Sequence, residues 1–106
     1  MKTFKQIIYR AEDGALMIVP SDNEQVVARF TGDLSDTQKV AFFQLQKYLL
    51  TQVDTLSYAV YTAENNQLDA EPVEGTTVQI PLDSMSVEDR GTIQNVLDIC
   101  SQLINE

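Results

Sequence analysis

The 106-residue chain contains no histidine and no tryptophan, a single cysteine, four glycines and three prolines. The missing histidine removes the commonest general base and the commonest metal ligand together. With Cys100 alone, no intrachain disulfide can close and no thiolate zinc site can be assembled. The glycines, at 14, 32, 75 and 91, are too scattered for a phosphate loop or a dinucleotide fingerprint. No apolar run reaches the roughly 18 to 20 residues that span a bilayer. The opening M-K-T-F-K-Q-I-I-Y-R is basic like a signal peptide, but it has no continuous apolar core and no small-residue cleavage site. It reads as the start of a mature, intracellular, cytoplasmic protein. The absence of any N-x-S/T sequon agrees with that.

Positive charge is also scarce: seven Lys and Arg face sixteen Asp and Glu, for a net charge of −9. The deficit is one-sided. Residues 1–53 balance six basic against six acidic side chains, whereas residues 54–106 set Arg90 alone against ten carboxylates. Such a distribution bears on partners and solubility rather than on fold. It opposes direct binding to nucleic acid, whose phosphates demand a basic surface, and it equally opposes an anionic membrane.

What is present is ordinary for one folded domain: 43% apolar and 22% charged residues, with length for a single core. The longest run of good helix formers, Ser35 to Val53, lacks both Gly and Pro. Ser35 and Gln38 fit the S-x-x-Q capping box. At 100° per residue, Ala41, Phe42, Leu45, Tyr48, Leu49 and Val53 fall within an arc of about 140°, the stripe of a core-facing helix. Phe43 and Leu50 lie on a second line, offset by about 140°. A helix with two apolar lines is either packed on two sides, here between sheet and last helix, or offers one line to a partner.

Before this helix, residues 3–10 and 15–20 flank Asp13-Gly14, a strong hairpin signal, and 26–31 alternate as a third strand. After it, L-S-Y-A-V-Y-T at 56–62 reads as a strand in preference to a helix continuation, with Asp54-Thr55 as the break. Residues 64–75 are polar and acidic and predict a long exposed loop. T-T-V-Q-I-P-L at 76–82 predicts the last strand. Ser86 caps a final helix whose Ile93, Val96, Leu97, Cys100, Leu103 and Ile104 keep helical spacing, weakened at its start by Gly91. The expected order is β-β-β-α-β-β-α: an α+β domain, an antiparallel sheet of about five strands with two helices on one face. No internal repeat is apparent.

Catalytic vocabulary is thin. Cys100 lies on the apolar stripe of the last helix and reads as a buried thiol. The carboxylates Asp83, Glu88 and Asp89 surround a helix start, where capping accounts for them. The acidic loop lacks the D-x-[DN]-x-[DN]-G order of a calcium site. No cofactor, metal or catalytic residue is assigned. Two binding functions remain, with an enzyme lacking any recognisable motif as the third alternative. In the first, Glu64, Asp69, Glu71, Glu74, Glu88 and Asp89 present an anionic surface to a basic protein, as in a small inhibitor or immunity-type protein or a nucleic-acid mimic. In the second, Phe43 and Leu50 form a homodimer contact of a chaperone or assembly adaptor that holds a client segment. The element order, the acidity and the I-P-L-D lead into the last helix resemble the small type III secretion chaperones. This chain lacks the leading helix of that family.

Overall fold

The computed structural model describes residues 1–106. Asp13-Gly14 turns the chain as its composition predicts. Gly14 adopts φ +69°, and a Cβ there would collide with Thr31 Oγ1, so the position needs glycine on both counts. Strands β1 (Phe4–Arg10) and β2 (Ala15–Pro20) flank this turn, and β3 (Val27–Phe30) completes an antiparallel meander. A 3-10 turn at Thr31–Asp33 leads to helix α1 (Asp36–Leu49). Its capping box is fully formed: Gln38 N–H donates to Ser35 Oγ at 3.3 Å, and Ser35 N–H donates to Gln38 Oε1 at 3.1 Å. Residues 56–62 are a strand, β4 (Leu56–Thr62), not a continuation of the helix.

The acidic stretch departs from expectation. Residues 64–75 are not a loop: β5 (Gln67–Pro72) runs through them, pairs with β4 and is followed by β6 (Val78–Pro81). Leu68 and Ala70 are buried while Asp69 and Glu71 alternate with them on the other side. Only two inward positions, one of them the small Ala70, signal this strand among acidic neighbours, and the polar composition conceals them. A second 3-10 turn, Leu82–Ser84, leads to α2 (Val87–Ile104), capped by Ser86 Oγ accepting from Asp89 N–H at 3.1 Å. The sheet therefore has six strands rather than about five, in the order β3-β2-β1-β4-β5-β6, all antiparallel. Both helices lie on one face of it. Beneath them Ile7, Tyr9, Leu16, Ile18, Ala59, Tyr61, Leu68 and Ala70 meet Phe42, Leu45, Leu49, Ile93, Val96 and Cys100 in one core. No helix is long and apolar enough to cross a membrane.

This topology is a duplication, and the expectation of no internal repeat is overturned. Each half is β-β-β, 3-10 turn, α. The two halves meet at β1–β4, where Ile8 pairs with Val60, its own equivalent 52 residues on. Backbone details coincide at that spacing. Gly14 and Asn66 both have positive φ, as do Asn23 and Gly75. Register slips between Phe4 and Gln6 and again between Leu56 and Tyr58, which turns Phe4 and Leu56 toward the core. Ala11 N–H donates to Ser57 O at 3.0 Å, and its counterpart Ala63 N–H donates to Lys5 O at 3.0 Å. The residues shared are T-x5-Y-x-A-E-x3-L-x3-P, at Thr3 to Pro20 and Thr55 to Pro72, with Ser35 and Ser86 capping both helices. The shared turn, bulge and buried side chains recur in both halves, whereas most other positions differ between them.

Candidate protein-binding surfaces

Two helices cover one face of a six-stranded sheet, so its other face remains open. The register places one row across all six strands of that face: Ala28, Met17, Ile8, Val60, Asp69, Gln79. The row is apolar for four strands and polar for two. Val19 and Phe30 extend the apolar part, with Met17 38% and Phe30 50% exposed. Glu71, beside Tyr58, extends the acidic part. The duplication makes the asymmetry explicit. Met17 and Val19 on β2 occupy the positions that Asp69 and Glu71 occupy on β5, so the fold accepts either chemistry there.

Asp69 and Glu71 carry uncompensated charge. The ion pairs of the molecule join Lys2 to Glu24, Arg10 to Asp13, Arg29 to Glu106 and Lys39 to Asp36, and involve neither. Asp69 accepts only from Gln67 Nε2 at 2.9 Å, and Glu71 from Thr77 Oγ1 at 2.6 Å. Lys5, exposed on β1, joins no ion pair, while Arg10, on the open face, is held by Asp13 at 2.9 and 2.6 Å. That pairing holds the Asp13 carboxyl down at about 2.

The other predicted carboxylates do not join them. Glu64 sits in the β4–β5 turn, where Glu12 occupies the equivalent place in the first half, and Glu74 sits in the β5–β6 turn at the opposite end of β5. Glu88 and Asp89 lie in the first turn of α2, on the far side of the sheet. Six acidic residues are thus divided among the open face, both ends of a strand and the helix layer.

Phe43 and Leu50 are not packed on two sides. They project from α1 at 68% and 45% exposure, with Val40 on the same line. The equivalent positions of α2 are Gly91, Gln94 and Ser101, again showing that the fold itself does not require apolar residues there. Between the helices lies an open cleft of about 380 Å³ that includes Gln44, Asn95 and Asp98. Its one carboxylate, Asp98, accepts from Gln94 Nε2 at 2.8 Å. Cys100 is buried in the core, and loss of hydration pushes its thiol up to about 12, so the nucleophilic thiolate is suppressed. No three acidic or thiol side chains converge closely enough to hold a metal ion.

The chain matches no protein family, no characterised protein and no solved structure.

Two helices on one face, as expected from sequence, leave the other face open, but the residues that line it were not anticipated, although a signal for them exists. Both alternating sets of β2 are apolar, in A-L-M-I-V, as in a strand buried on two sides, and β1 adds Ile8 between Gln6 and Arg10 on its outward side. Only two helices are available, enough to cover one side.

Proposed function

We propose that the protein is a non-enzymatic binding module that engages a basic protein partner through the open face of its sheet. The observation that carries this reading is the row from Met17 and Ile8 through Val60 to Asp69, where an uncovered apolar strip borders unpaired carboxylates. An apolar centre supplies the burial, and the acidic border selects cationic partners and speeds their encounter. Occupying a working surface of the partner would make the module an inhibitor of the immunity type. A pull-down from the native host at low and high salt, with wild type and two charge-reversed variants, tests it. One variant carries Asp69→Lys and Glu71→Lys, and the other Glu88→Lys and Asp98→Lys in the helix layer. Support requires a basic protein that is retained at low salt, lost at high salt, released by the sheet variant and kept by the helix variant. Partners of neutral or acidic character, or equal loss from both variants, would refute the reading.

A dimeric adaptor is the second reading, favoured by the apolar Val40, Phe43 and Leu50 where α2 is polar. Three side chains on one helix line fall well short of the roughly 20 to 30 residues a side of a standard interface. A dimer through α1 would therefore need additional contacts. Sedimentation of wild type and Phe43→Glu distinguishes the readings, since only the adaptor predicts a dimer that the substitution dissociates.

A further inference from the structure

The binding reading above leaves open what form the partner takes on the sheet, and the dimensions of the open face answer it. We infer that its occupant is a cationic amphipathic α-helix of about four turns, lying over β3-β2-β1-β4 with its basic flank toward β5. The inference rests on the proposed function and deepens it.

Width is the first reason. The apolar part of the central row spans four strands, hence three spacings of about 4.8 Å, or about 14 Å. A helix with its side chains is about 10–12 Å across, so one helix fills the strip. Length is the second. The strands beneath run six or seven residues, about 20–23 Å, with Gln6, Arg10 and Thr62 at their ends, so a helix of about 15 residues would seat its apolar middle on the strip and its polar ends beyond it. Charge is the third. Asp69 is paired directly with Val60, so a carboxylate begins about 5 Å beyond the edge of the apolar strip, within reach of Lys or Arg on the flank of such a helix.

The same geometry disfavours other occupants. A second sheet packed face to face would cover β5 and β6 as well, burying Asp69 and Glu71 with no countercharge from this chain. A second copy of this chain carries the same net charge of −9 and so brings like charge against like. The helix would add a third layer, covering the apolar outward residues Met17 and Val19 of β2 together with Ile8 and Val60.

Selection from a display library of random 16-residue peptides against the intact chain provides the test. Enriched peptides are synthesised and titrated against protein labelled at its methionine methyl groups. Met17 reports on the open face, and Met85, buried where the second 3-10 turn meets α2, serves as the internal control. The expected peptides have apolar residues at i, i+3, i+4 and i+7 with Lys or Arg on one flank. They become helical on binding, shift Met17 and leave Met85 in place. Asp69→Lys with Glu71→Lys weakens them about tenfold, the combined size of two rim charges, while Glu88→Lys with Asp98→Lys leaves affinity within about twofold. Both variants are checked for a native circular-dichroism spectrum, and Asp69→Asn with Glu71→Gln, expected to weaken binding less, replaces the reversal if it fails to fold. Basic peptides that bind in extended form, that shift α1 instead of Met17, or that weaken equally in both variants overturn the helix on the sheet while leaving the basic partner standing. Enrichment of neutral or acidic peptides, or a chain that pairs with itself at Met17, overturns both. No enrichment at all counts against the helix.

Discussion

Burial decides the behaviour of Cys100 more than its chemistry does. In the native protein its thiol should react slowly with thiol reagents and rapidly once denaturant is added, and stopped-flow labelling measures both rates. Because burial raises the folded thiol to about 12, above its ordinary value of 9.0, the protonated thiol stabilises the native state fully below pH 9. That contribution is lost as pH rises from about 9 toward 12. Tyr9, Tyr48 and Tyr61 are also shifted upward by burial, so the total decline is shared. Cys100→Ala should therefore fall less steeply above pH 9 than wild type in thermal melts, while costing about 1–2 kcal/mol at pH 7 through lost packing. Two glycines make a contrasting pair. Gly14→Ala must strain a φ of +69° and crowd Thr31 Oγ1, and should destabilise by more than about 1 kcal/mol. Gly91→Ala meets nothing within 4 Å in a helix interior and should stabilise by about 0.5–1 kcal/mol. Denaturant unfolding of both variants checks the opposite signs.

The two helices share a frame but not a surface. Phe42, Leu45 and Leu49 of α1 answer to Ile93, Val96 and Cys100 of α2, all buried against the sheet. Outward, α1 shows Val40 and Phe43 where α2 shows Gly91 and Gln94. Removing the outward pair should spare the fold. Phe43→Ser with Leu50→Ser is expected to change unfolding free energy by no more than about 1 kcal/mol, whereas Phe42→Ala should cost about 3–5 kcal/mol. Chemical denaturation of the two variants separates a surface line from a core stripe that adjoins it by one residue. Helix ends and hairpin turns were readable because they rest on local chemistry: Ser35 with Gln38, Ser86, and Asp13-Gly14. Strand β5 was not readable, because its inward pair Leu68 and Ala70 is short and its outward positions are acidic.

The duplication brings the two ends of the chain together. Lys2 N–H donates to Asn105 Oδ1 at 2.7 Å, and Asn105 Nδ2 donates to the Lys2 carbonyl at 3.1 Å. β1 and β4 then sit side by side at the centre of the sheet, joined in sequence only through β2, β3 and α1. A circular permutant that links the ends through a short Gly-Ser segment and opens between Gln52 and Asp54 should fold, because the two half-folds are each preserved and the closed ends are adjacent. Its thermal midpoint is expected within several degrees of wild type, with an unchanged far-ultraviolet spectrum. A permutant opened inside β1 should not fold, since Ile7 and Tyr9 anchor both neighbouring strands.

The sequence alone determined the local events and the class of fold: two capped helices with apolar stripes, the first hairpin, the strand at 56–62, and an α+β domain with its net negative charge confined to the second half. These depend on spacing and on side chains that act over a few residues, so a linear reading reaches them. The tertiary structure decided the rest. It extended the sheet to six strands, related its halves through the Ile8–Val60 pair, and set which residues line the uncovered face. It also divided Glu64, Asp69, Glu71, Glu74, Glu88 and Asp89 among surfaces that do not meet, and put Asp69 and Glu71 beside Met17, Ile8 and Val60. Which faces meet depends on pairing between segments up to about fifty residues apart, and that pairing is set by the summed burial of the whole sheet rather than by any one stretch.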